Sequence, residues 1–418
     1  MFIVDKERYD KGMLAKRYGE LAKLSHFAAP ETRLYAICCT HPFDVISMVL
    51  YLRERGGSVL LLHGETPVEA AMSLAKRAGC SYLIHADWRE AIAISGHSFS
   101  GPPSLCQFSS GTTGEPKLIA RPWCEVEKEI ASYNLRLNAE TGERPIILVP
   151  VSHSFGLVAG VMAAMARGAE PIVVADKNPK FALHVLKSAG PSILYAVPFL
   201  LHLIQLLGKQ ELRLHKLISS GAPMSQALLH RLQACTAQVW QQYGCTETGC
   251  IAIGADPSTP YDVGLPLPHL QISLQGARVE EGDAAKEIVV TAGDKTVHTN
   301  DLGMLNHEGR IQVLGRMDDL INVSGLKVMP SEVEAVIERL AGVSEVVVCK
   351  AQHPVWGESI RALVVASDGV RKEDIRTWCL LHLPPFKVPS AIDIVESIPR
   401  LPSGKISRKF IQEQEITP

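Results

Sequence analysis

The stretch Ser109–Lys117, which reads SSGTTGEPK, is the most informative part of this chain. It combines two glycines, four hydroxyl side chains and a lysine, and it directly follows the run SLCQF (104–108). Backbone amides of a glycine-rich turn can all face one anion, and Ser and Thr hydroxyls add donors, so the pattern favours a polyphosphate ligand. It is not a Walker loop, because Pro116 precedes the lysine and Leu118 follows it. A surface loop without a ligand is the alternative interpretation.

Around this loop, short apolar runs alternate with amphipathic helical patterns, for example RLYAICC, FDVISMVLYLRERG and SVLLLHG. Such alternation predicts an α/β fold with mainly parallel sheets. Beyond about residue 260 the pattern changes to short β segments, and from Asp318 it reads β-turn-α-β-β-α-β. We therefore predict a large N-terminal domain (1–317) with a β-rich subdomain, and a small mobile α+β domain (318–418).

Composition and charge argue against several partners and kinds of site. The formal net charge is -2, from 42 basic and 44 acidic residues, so neither nucleic acid nor an anionic membrane is an expected partner. Residues 146–166 carry no charge, but Pro150 and the polar segment around His153 interrupt them, so we expect no membrane span. Ten scattered cysteines without a C-x-x-C pair indicate a reduced cytoplasmic protein without a zinc site.

Further polar motifs follow the glycine loop in a fixed order. They are VSHSFGL (151–157), SSGAP (219–223), QQYGCTETG (241–249), TND (299–301), GRMDDLINVSGLKVMPSEVE (315–334) and LPSGK (401–405). With the loop, this series resembles the adenylate-forming superfamily of acyl-CoA synthetases, aryl-acid ligases and peptide-synthetase adenylation domains. The resemblance runs from about residue 105 to the end. It implies that ATP and Mg²⁺ activate a carboxylic acid as its adenylate, which a thiol then captures.

The resemblance also implies roles for individual residues of the ATP site. The expected phosphate-loop residues are Ser109, Ser110, Gly111, Thr112, Thr113, Gly114 and Lys117. The expected adenine contacts are Tyr243 and the backbone of Gly221, Ala222 and Pro223, and the expected ribose contacts are Asp301 and Arg316. Gly244 and Cys245 are expected to bind ATP as well. Three residues are expected to be catalytic: Thr246 at the α-phosphate, Glu247 as the Mg²⁺ ligand and Lys405. A lysine between carboxylate and α-phosphate oxygens offsets the charge of the transition state.

Two more positions match elements that serve the second half-reaction in the family. Asp318 corresponds to the hinge about which the small domain rotates, and Gly325 corresponds to the element that then lines the thiol channel. Two positions depart from the family pattern: Leu118 stands where glycine usually follows the lysine, and Asn300 stands where Thr-Gly-Asp is usual. Neither departure removes a functional side chain.

The acid-binding motif narrows the substrate. Its residues are His153, Ser154, Phe155 and Gly156, and it contains no carboxylate. A buried ammonium without a counter-charge is costly, so amino acids are disfavoured. The segments VPVSHSFGL and DKNPKFAL resemble those of the 3,4-dihydroxybenzoate-activating ligases of petrobactin siderophore biosynthesis. Those ligases load a phosphopantetheinylated aryl carrier protein. The expected substrate is therefore an aryl carboxylic acid, with 3,4-dihydroxybenzoate as the best match.

Two alternatives remain open at the level of sequence. An acyl- or aryl-CoA ligase would share the motif INVSGLKVMPSEVE, because free and protein-bound pantetheine present the same thiol arm. A non-catalytic ATP-binding module would need to lack Lys405, Glu247 or Asp301, and the sequence has all three.

Overall fold

In the computed structural model of the protein, the described residues are 1–95, 99–109, 117–176, 178–208, 212–275, 285–323, 325–353, 357–400 and 406–413. The chain forms two compact units. The first unit comprises Met1–Gly221, Arg231–Pro257 and Gly264–Gln271, and the second comprises Ala222–His230, Ser258–Val263 and Ile272–Pro418. The boundary that we place between residues 317 and 318 remains a prediction.

The strands, in chain order, have the following bounds. They are β1 Phe2–Val4, β2 Glu7–Tyr9, β3 Leu34–Cys38, β4 Ser58–Leu61, β5 Tyr82–His85, β6 Ile92–Ala93, β7 Ser104–Ser109, β8 Lys117–Pro122, β9 Arg144–Ile147, β10 Ile172–Val173, β11 Ser192–Ala196, β12 Leu214–Ser219, β13 Thr236–Cys245, β14 Gly249–Ala255, β15 Asp262–Pro266, β16 Gln271–Gln275, β17 Lys286–Ala292, β18 Lys295–Leu305, β19 Ile311–Arg316, β20 Ile321–Val323, β21 Leu326–Val328, β22 Val343–His353, β23 Gly357–Ala366 and β24 Ala391–Ile394.

The α-helices are α1 Lys11–Leu21, α2 Pro42–Glu54, α3 Val68–Arg77, α4 Trp123–Leu137, α5 Ala163–Ala166, α6 Pro179–Ser188, α7 Pro198–Gly208, α8 Gln226–Cys235, α9 Pro330–Ile337, α10 Lys372–His382 and α11 Arg408–Glu413. A π-helix, Phe155–Met162, leads directly into α5. Local sequence explains several helix starts. Pro179 opens α6 after Asn178, whose side chain accepts a hydrogen bond from the Lys180 amide, and a proline also opens α2 and α9.

The first unit contains two sheets. In one, β13, β12, β11, β9, β10 and β1 lie side by side as parallel neighbours, with β14 antiparallel beside β13 and β2 beside β1. The other has the order β6-β5-β3-β4-β7-β8, and its neighbours from β5 to β7 are parallel. Strand β3 is buried along its whole length, as expected for a parallel strand covered on both faces.

The second unit is built on antiparallel hairpins. Strands β17, β18 and β19 form one meander, and β21-β20-β23-β22 form a second sheet in which β24 pairs with β23 in parallel. Helices α9 and α10 contribute Val333, Ile337, Ile375 and Cys379 to the buried cluster of the second sheet. The predicted α/β fold class is confirmed. The chain has a large mixed sheet with a run of parallel strands, a second sheet with three parallel pairs, β-rich segments and a smaller C-terminal α+β portion.

Two further features bear on the expectations from composition. No helix among the described residues combines the length and the apolar character needed to cross a bilayer. All ten cysteines are free thiols and seven of them are buried.

Candidate functional site

The two ends of the glycine loop are joined in a hairpin. Strand β7 ends at Ser109 and β8 begins at Lys117, and these two residues are paired across the antiparallel ladder. The Ser109 Oγ lies 3.5 Å from the Lys117 carbonyl oxygen, and the Lys117 side chain is exposed. The predicted phosphate residues Ser110, Gly111, Thr112, Thr113 and Gly114 lie outside the described residues.

The parallel sheet of the first unit places several predicted site residues at one edge. Strands β9, β11, β12 and β13 are consecutive parallel neighbours, so their carboxyl ends lie together. The acid-binding motif follows β9, Gly221 follows β12, and Thr246 follows β13. Ligands of open α/β sheets bind outside the carboxyl ends of the strands. Ala222 and Pro223 continue the chain from Gly221 and belong to the second unit.

One side chain joins this edge to the glycine-loop hairpin. Gln107 lies on β7, two residues before Ser109, and it is 8% exposed. Its Nε2 donates to the Ser152 carbonyl oxygen at 2.9 Å, and its Oε1 accepts from the Ser154 hydroxyl at 2.5 Å. The strand that enters the glycine loop is therefore hydrogen-bonded to the segment predicted to bind the acid.

The acid-binding motif is a tight turn at the start of the π-helix. A Cβ at Gly156 would overlap the Pro150 carbonyl oxygen, so only glycine fits this position. His153 is exposed, and its carbonyl oxygen accepts from the Leu157 amide at 2.9 Å. The Phe155 ring lies 5.8 Å from that of Tyr195, a fully buried residue on β11. The motif thus offers one flat apolar side chain and two polar ones.

The predicted catalytic pair Thr246 and Glu247 occupies the turn between β13 and β14, where both side chains are partly buried. A Cβ at Gly244 would overlap the Gly249 carbonyl oxygen, which explains why the predicted ATP-binding residue Gly244 is a glycine. Its neighbour Cys245 lies with its sulfur 3.2 Å from the Thr248 hydroxyl. Burial raises the pKa of the Cys245 thiol to about 11, so this cysteine is a neutral part of the turn.

Tyr243, the predicted adenine-stacking residue, is partly buried near the end of β13. It pairs with Ala252 on β14, and the register shifts immediately after it. Such a bulge bends a strand and redirects the side chains that follow it. The bulge therefore separates the regular ladder from the turn that carries Thr246 and Glu247.

A buried ion pair contacts the hairpin that carries Thr246 and Glu247. Arg121 on β8 and Glu129 on α4 form a salt bridge, and their side chains are 3% and 2% exposed. The Glu129 Oε1 also accepts from the backbone amide of Cys250 at 2.8 Å. The strand that leaves the glycine loop and the hairpin that carries Thr246 and Glu247 are thereby attached to one carboxylate.

The residues that could hold a metal ion are few. Within the described part of the chain, no three His, Cys, Asp or Glu side chains cluster in a way that could bind a metal. Glu247 is a single carboxylate at the carboxyl edge of the sheet. This donor set fits Mg²⁺, which is commonly bound by one or two carboxylates together with substrate phosphates, and does not fit a closed protein cage.

In the second unit, the predicted ribose residues are cross-strand partners. Asp301 on β18 is paired with Arg316 on β19, and the Arg316 Nη1 lies 3.4 Å from the Asp301 Oδ1. Asn300 has a φ of +56°, a left-handed conformation that glycine adopts freely and asparagine tolerates. The departure from Thr-Gly-Asp therefore keeps the backbone turn that presents Asp301.

The predicted hinge residue Asp318 and the predicted channel residue Gly325 lie on either side of β20. Asp318 is half exposed, and its Oδ2 lies 3.7 Å from the Arg316 Nη2. Gly325 is in the turn between β20 and β21 with a φ of +90°, its amide donates to Asn322 Oδ1 at 2.8 Å, and a Cβ there would meet no atom within 4 Å. The turn is open, and its backbone conformation favours glycine.

Lys405 lies outside the described residues, and the described residues on each side of it, Arg400 and Arg408, form ion pairs. On one side, Arg400 forms an ion pair with Glu345. On the other, Arg408 lies 2.7 Å from Glu334 and 3.0 Å from Asp319. Asp319 directly follows the predicted hinge residue, so the segment after the lysine is bound to the hinge.

The sequence-based assignment missed Gln107, Arg121, Glu129 and Arg408. Gln107 carried a signal, because it is a polar residue inside an otherwise apolar strand run directly before the glycine loop. Arg121 and Glu129 look like ordinary charges on a strand and an amphipathic helix, and only packing reveals that both are buried.

Comparison with protein families agrees with this arrangement. The family model described as AMP-binding enzyme matches residues 100–290, and the model of the AMP-binding enzyme C-terminal domain matches residues 332–405. The chain is 42% identical over 418 residues to the 3,4-dihydroxybenzoate–[aryl-carrier protein] ligase of Bacillus anthracis, with all of both chains covered.

Two solved structures share the fold. ATP-bound MatB from Rhodopseudomonas palustris matches with a TM-score of 0.85 at 19% identity, covering 98% of this chain and 95% of that one. O-succinylbenzoate Coenzyme A synthetase (MenE) from Bacillus subtilis, in complex with ATP and magnesium ion, matches with a TM-score of 0.82 at 21% identity, covering 98% and 95%.

Proposed function

The chain belongs to the AMP-binding enzyme family, and from that premise we propose that it joins an aryl carboxylic acid to a carrier-protein thiol in two steps. The acid, for which 3,4-dihydroxybenzoate is the best candidate, attacks the α-phosphate of ATP to give the aryl-adenylate and pyrophosphate. The phosphopantetheine thiol of an aryl carrier protein then attacks the acyl carbon, and AMP leaves.

One observation carries the proposal from geometry. The side chain of Gln107 ties the strand that enters the glycine loop to the acid-binding motif at Ser152 and Ser154. The strand that enters the glycine loop is therefore a neighbour of the acid-binding motif, which supports the in-line attack of a carboxylate on the α-phosphate. The full-length similarity to a 3,4-dihydroxybenzoate ligase supports the choice of acid.

The first half-reaction brings one anion against another, so its main demand is relief of charge repulsion. In the proposal the segment 109–117 holds the β- and γ-phosphates, and Thr246 donates to the α-phosphate. Lys405 neutralises the charge that develops between the carboxylate and that phosphate. The acid is held by the motif 153–156.

The nucleoside half of ATP is held by groups of different chemistry. In the proposal Tyr243 stacks on adenine beside the turn that begins at Gly221. Asp301 accepts hydrogen bonds from both ribose hydroxyls, because a carboxylate can accept from a diol with its two oxygens. Arg316, the cross-strand partner of Asp301, completes the ribose contact.

A magnesium ion would be held by Glu247 together with phosphate oxygens of the substrate. It would supply charge neutralisation at the phosphates. The single carboxylate at this position supports that assignment, since the rest of the coordination shell is then left to ATP and water.

In the second half-reaction the small domain takes a different orientation. In the proposal the segment beyond Asp318 rotates, Lys405 leaves the site, and the turn at Gly325 lines the path of the pantetheine arm. The open space around Gly325 supports a role in passage of a flexible arm. Within this proposal the reaction belongs to petrobactin-type siderophore biosynthesis in the cytoplasm.

The direct test of the first step is ATP–pyrophosphate exchange with a panel of benzoates and amino acids. We expect exchange with 3,4-dihydroxybenzoate well above that with 2,3-dihydroxybenzoate, salicylate or any amino acid, because the acid motif contains no carboxylate to pair with an amine. Strong exchange with an amino acid and none with benzoates would overturn the proposed substrate class.

The acceptor is tested separately. Enzyme, ATP and acid are incubated either with a phosphopantetheinylated aryl carrier protein or with CoA, and the thioester is detected by mass. We expect loading of the carrier protein. Efficient acyl-CoA formation without carrier loading would make the protein an aryl-CoA ligase, and formation of neither adenylate nor thioester would leave a non-catalytic ATP-binding module.

A further inference from the structure

The contacts of Gln107 determine which way its amide group points. The Ser152 carbonyl oxygen can only accept a hydrogen bond, so the amide atom 2.9 Å from it is the donating Nε2. The opposite end of the amide, 2.5 Å from the Ser154 Oγ, is therefore the accepting Oε1. In the reverse orientation the Gln107 Oε1 would face the Ser152 carbonyl oxygen. Two acceptors would then meet at Gln107, a side chain that is only 8% exposed.

This orientation fixes the role of Ser154. A hydroxyl has one hydrogen to donate and lone pairs to accept with, and the Ser154 hydrogen is committed to Gln107. No residue in the described part of the chain donates to the Ser154 Oγ. What the hydroxyl offers a ligand is consequently an acceptor and no donor.

We propose that Gln107 is a positioning residue that makes Ser154 a fixed hydrogen-bond acceptor, so that the enzyme selects aryl acids whose ring carries a donor. The inference rests on the proposed function and deepens it. The preferred acids carry a hydroxyl or amino group on the ring, and their kcat/KM is higher than that of acids with fluorine or hydrogen at the same position.

The energetic basis is the asymmetry of buried hydrogen bonds. An acceptor that is desolvated by a ligand without a donor loses its water and gains nothing in return. One such unmade bond corresponds to about a tenfold loss in kcat/KM. Ser154 is half-buried and directly precedes Phe155 in the motif, so a bound aromatic acid would displace water from its hydroxyl.

The experiment compares benzoates that differ only in one small substituent. ATP–pyrophosphate exchange is measured with 3- and 4-hydroxy, amino and fluoro benzoates and with benzoate itself. The comparison is made at ring position 3 and at ring position 4. For the unmodified enzyme we expect that, at the position with the stronger preference, the hydroxy and amino acids have a kcat/KM about tenfold higher than the fluoro acid. Fluorine is close to a hydroxyl in size but cannot donate.

The variant Gln107→Met keeps the side-chain length and removes both hydrogen bonds. The Ser154 hydroxyl can then rotate, so the donor preference should fall to about threefold or less. Ser154→Ala should abolish the preference as well. Because Gln107 acts through Ser154, the double variant should discriminate no differently from Ser154→Ala, which is the result that a merely structural role of Gln107 would not give.

The outcomes separate the two claims. If the unmodified enzyme activates hydroxy and fluoro benzoates equally, or if Gln107→Met slows every benzoate by the same factor, the inference is wrong and the proposed function stands. If no benzoate is activated while other acids are, the proposed function fails and the inference with it. Thermal unfolding checks each variant. Should Gln107→Met not fold, Ser154→Ala decides, because retained donor preference without the hydroxyl overturns the inference.

Discussion

At the scale of single residues, Glu129 holds the turn that presents Thr246 and Glu247. One of its oxygens accepts from the Cys250 amide and the other pairs with Arg121, and the Glu129 side chain is only 2% exposed. Removing one partner of a buried ion pair typically costs about 3–5 kcal/mol, because the other charge is left without compensation. The position of the turn therefore depends on this carboxylate.

Gly249 offers a test of that dependence. Its φ is +77°, and a Cβ there would overlap the Glu129 carboxylate. We expect Gly249→Ala to lower the free energy of unfolding by about 2 kcal/mol more than backbone strain alone, and to slow pyrophosphate exchange. Denaturant unfolding and exchange assays measure the two effects.

The matched control is Gly168→Ala. Gly168 has a φ of +79°, and a Cβ there would meet no atom within 4 Å, so the variant reports backbone strain without the overlap. Equal losses of stability in the two variants, with normal exchange in both, would show that the Glu129 carboxylate does not hold the turn.

At the scale of elements, one arginine joins α11 to α9 and to Asp319, which follows the predicted hinge residue. The Arg408 guanidinium pairs with Glu334 on α9 and with Asp319, and its Nε donates to the Val348 carbonyl oxygen at 2.9 Å. The segment that carries Lys405 ends three residues before this point. We therefore expect this cluster to influence the position of the lysine.

We predict that Arg408→Gln slows pyrophosphate exchange and lowers the free energy of unfolding by about 3 kcal/mol, because two carboxylates lose their partner. The control is Arg371→Gln, which breaks the exposed pair with Asp374 and should leave the stability nearly unchanged, because solvent screens that pair. Denaturant unfolding with the exchange assay compares the two. Similar behaviour of both variants would contradict a positioning role for Arg408.

The end of α9 carries a carboxyl group that makes stability depend on pH. Burial raises the pKa of Glu338 to about 7, and the like charges of Glu334 and Glu345 add to the shift, while the Gln226 amide opposes it. In the unfolded chain the group loses its proton near 4.5, but the folded protein retains it up to about 7. Its contribution therefore falls as pH rises through that window and is constant above it.

Glu338→Gln removes this titration. We compare the free energies of unfolding of the variant and the unmodified protein at pH 5 and at pH 8. The difference should shift in favour of the variant, by on the order of 1 kcal/mol, as the pH rises from 5 to 8. Urea unfolding at both pH values measures the difference. An unchanged difference between the two proteins at pH 5 and pH 8 would show that Glu338 has an ordinary pKa in the folded state.

At the scale of the whole molecule, Lys405 and Gly325 should separate the two half-reactions. If Lys405 acts as proposed, Lys405→Ala removes a cation from the adenylation transition state, so pyrophosphate exchange should fall on the order of 10²–10³-fold while transfer from pre-formed adenylate continues. Gly325→Leu should instead obstruct the thiol path and leave exchange nearly normal. Exchange, and transfer from supplied adenylate, are measured separately.

The strain at Gly325 needs its own control. Gly369 has a φ of +103° and likewise no atom within 4 Å of a Cβ, so Gly369→Leu imposes comparable backbone strain at a turn without a predicted role in thiol entry. Transfer should remain normal in that variant. Parallel loss of both activities in Lys405→Ala and Gly325→Leu, with both folded, would refute the rotating-domain mechanism.

The sequence by itself determined the fold class and the family, and it predicted the residues of the site. Apolar runs of strand length alternating with amphipathic helices specify parallel layers, because each pattern can bury its apolar face in only one way. The glycine loop and the ordered motifs identified the family, since phosphate binding needs backbone amides that only particular residues leave accessible. Asp301 and Arg316 were assigned to one site from sequence, and the structure pairs them across two strands.

Only the tertiary structure decided which polar residues support that site. Gln107 and Ser154 are 47 residues apart in sequence, and Glu129 and Cys250 are 121 apart, so no local pattern reports their contacts. A buried polar group must find a partner wherever packing brings one, and packing is a property of the whole fold. That requirement sets the direction in which the Ser154 hydroxyl donates, which the sequence alone leaves undetermined.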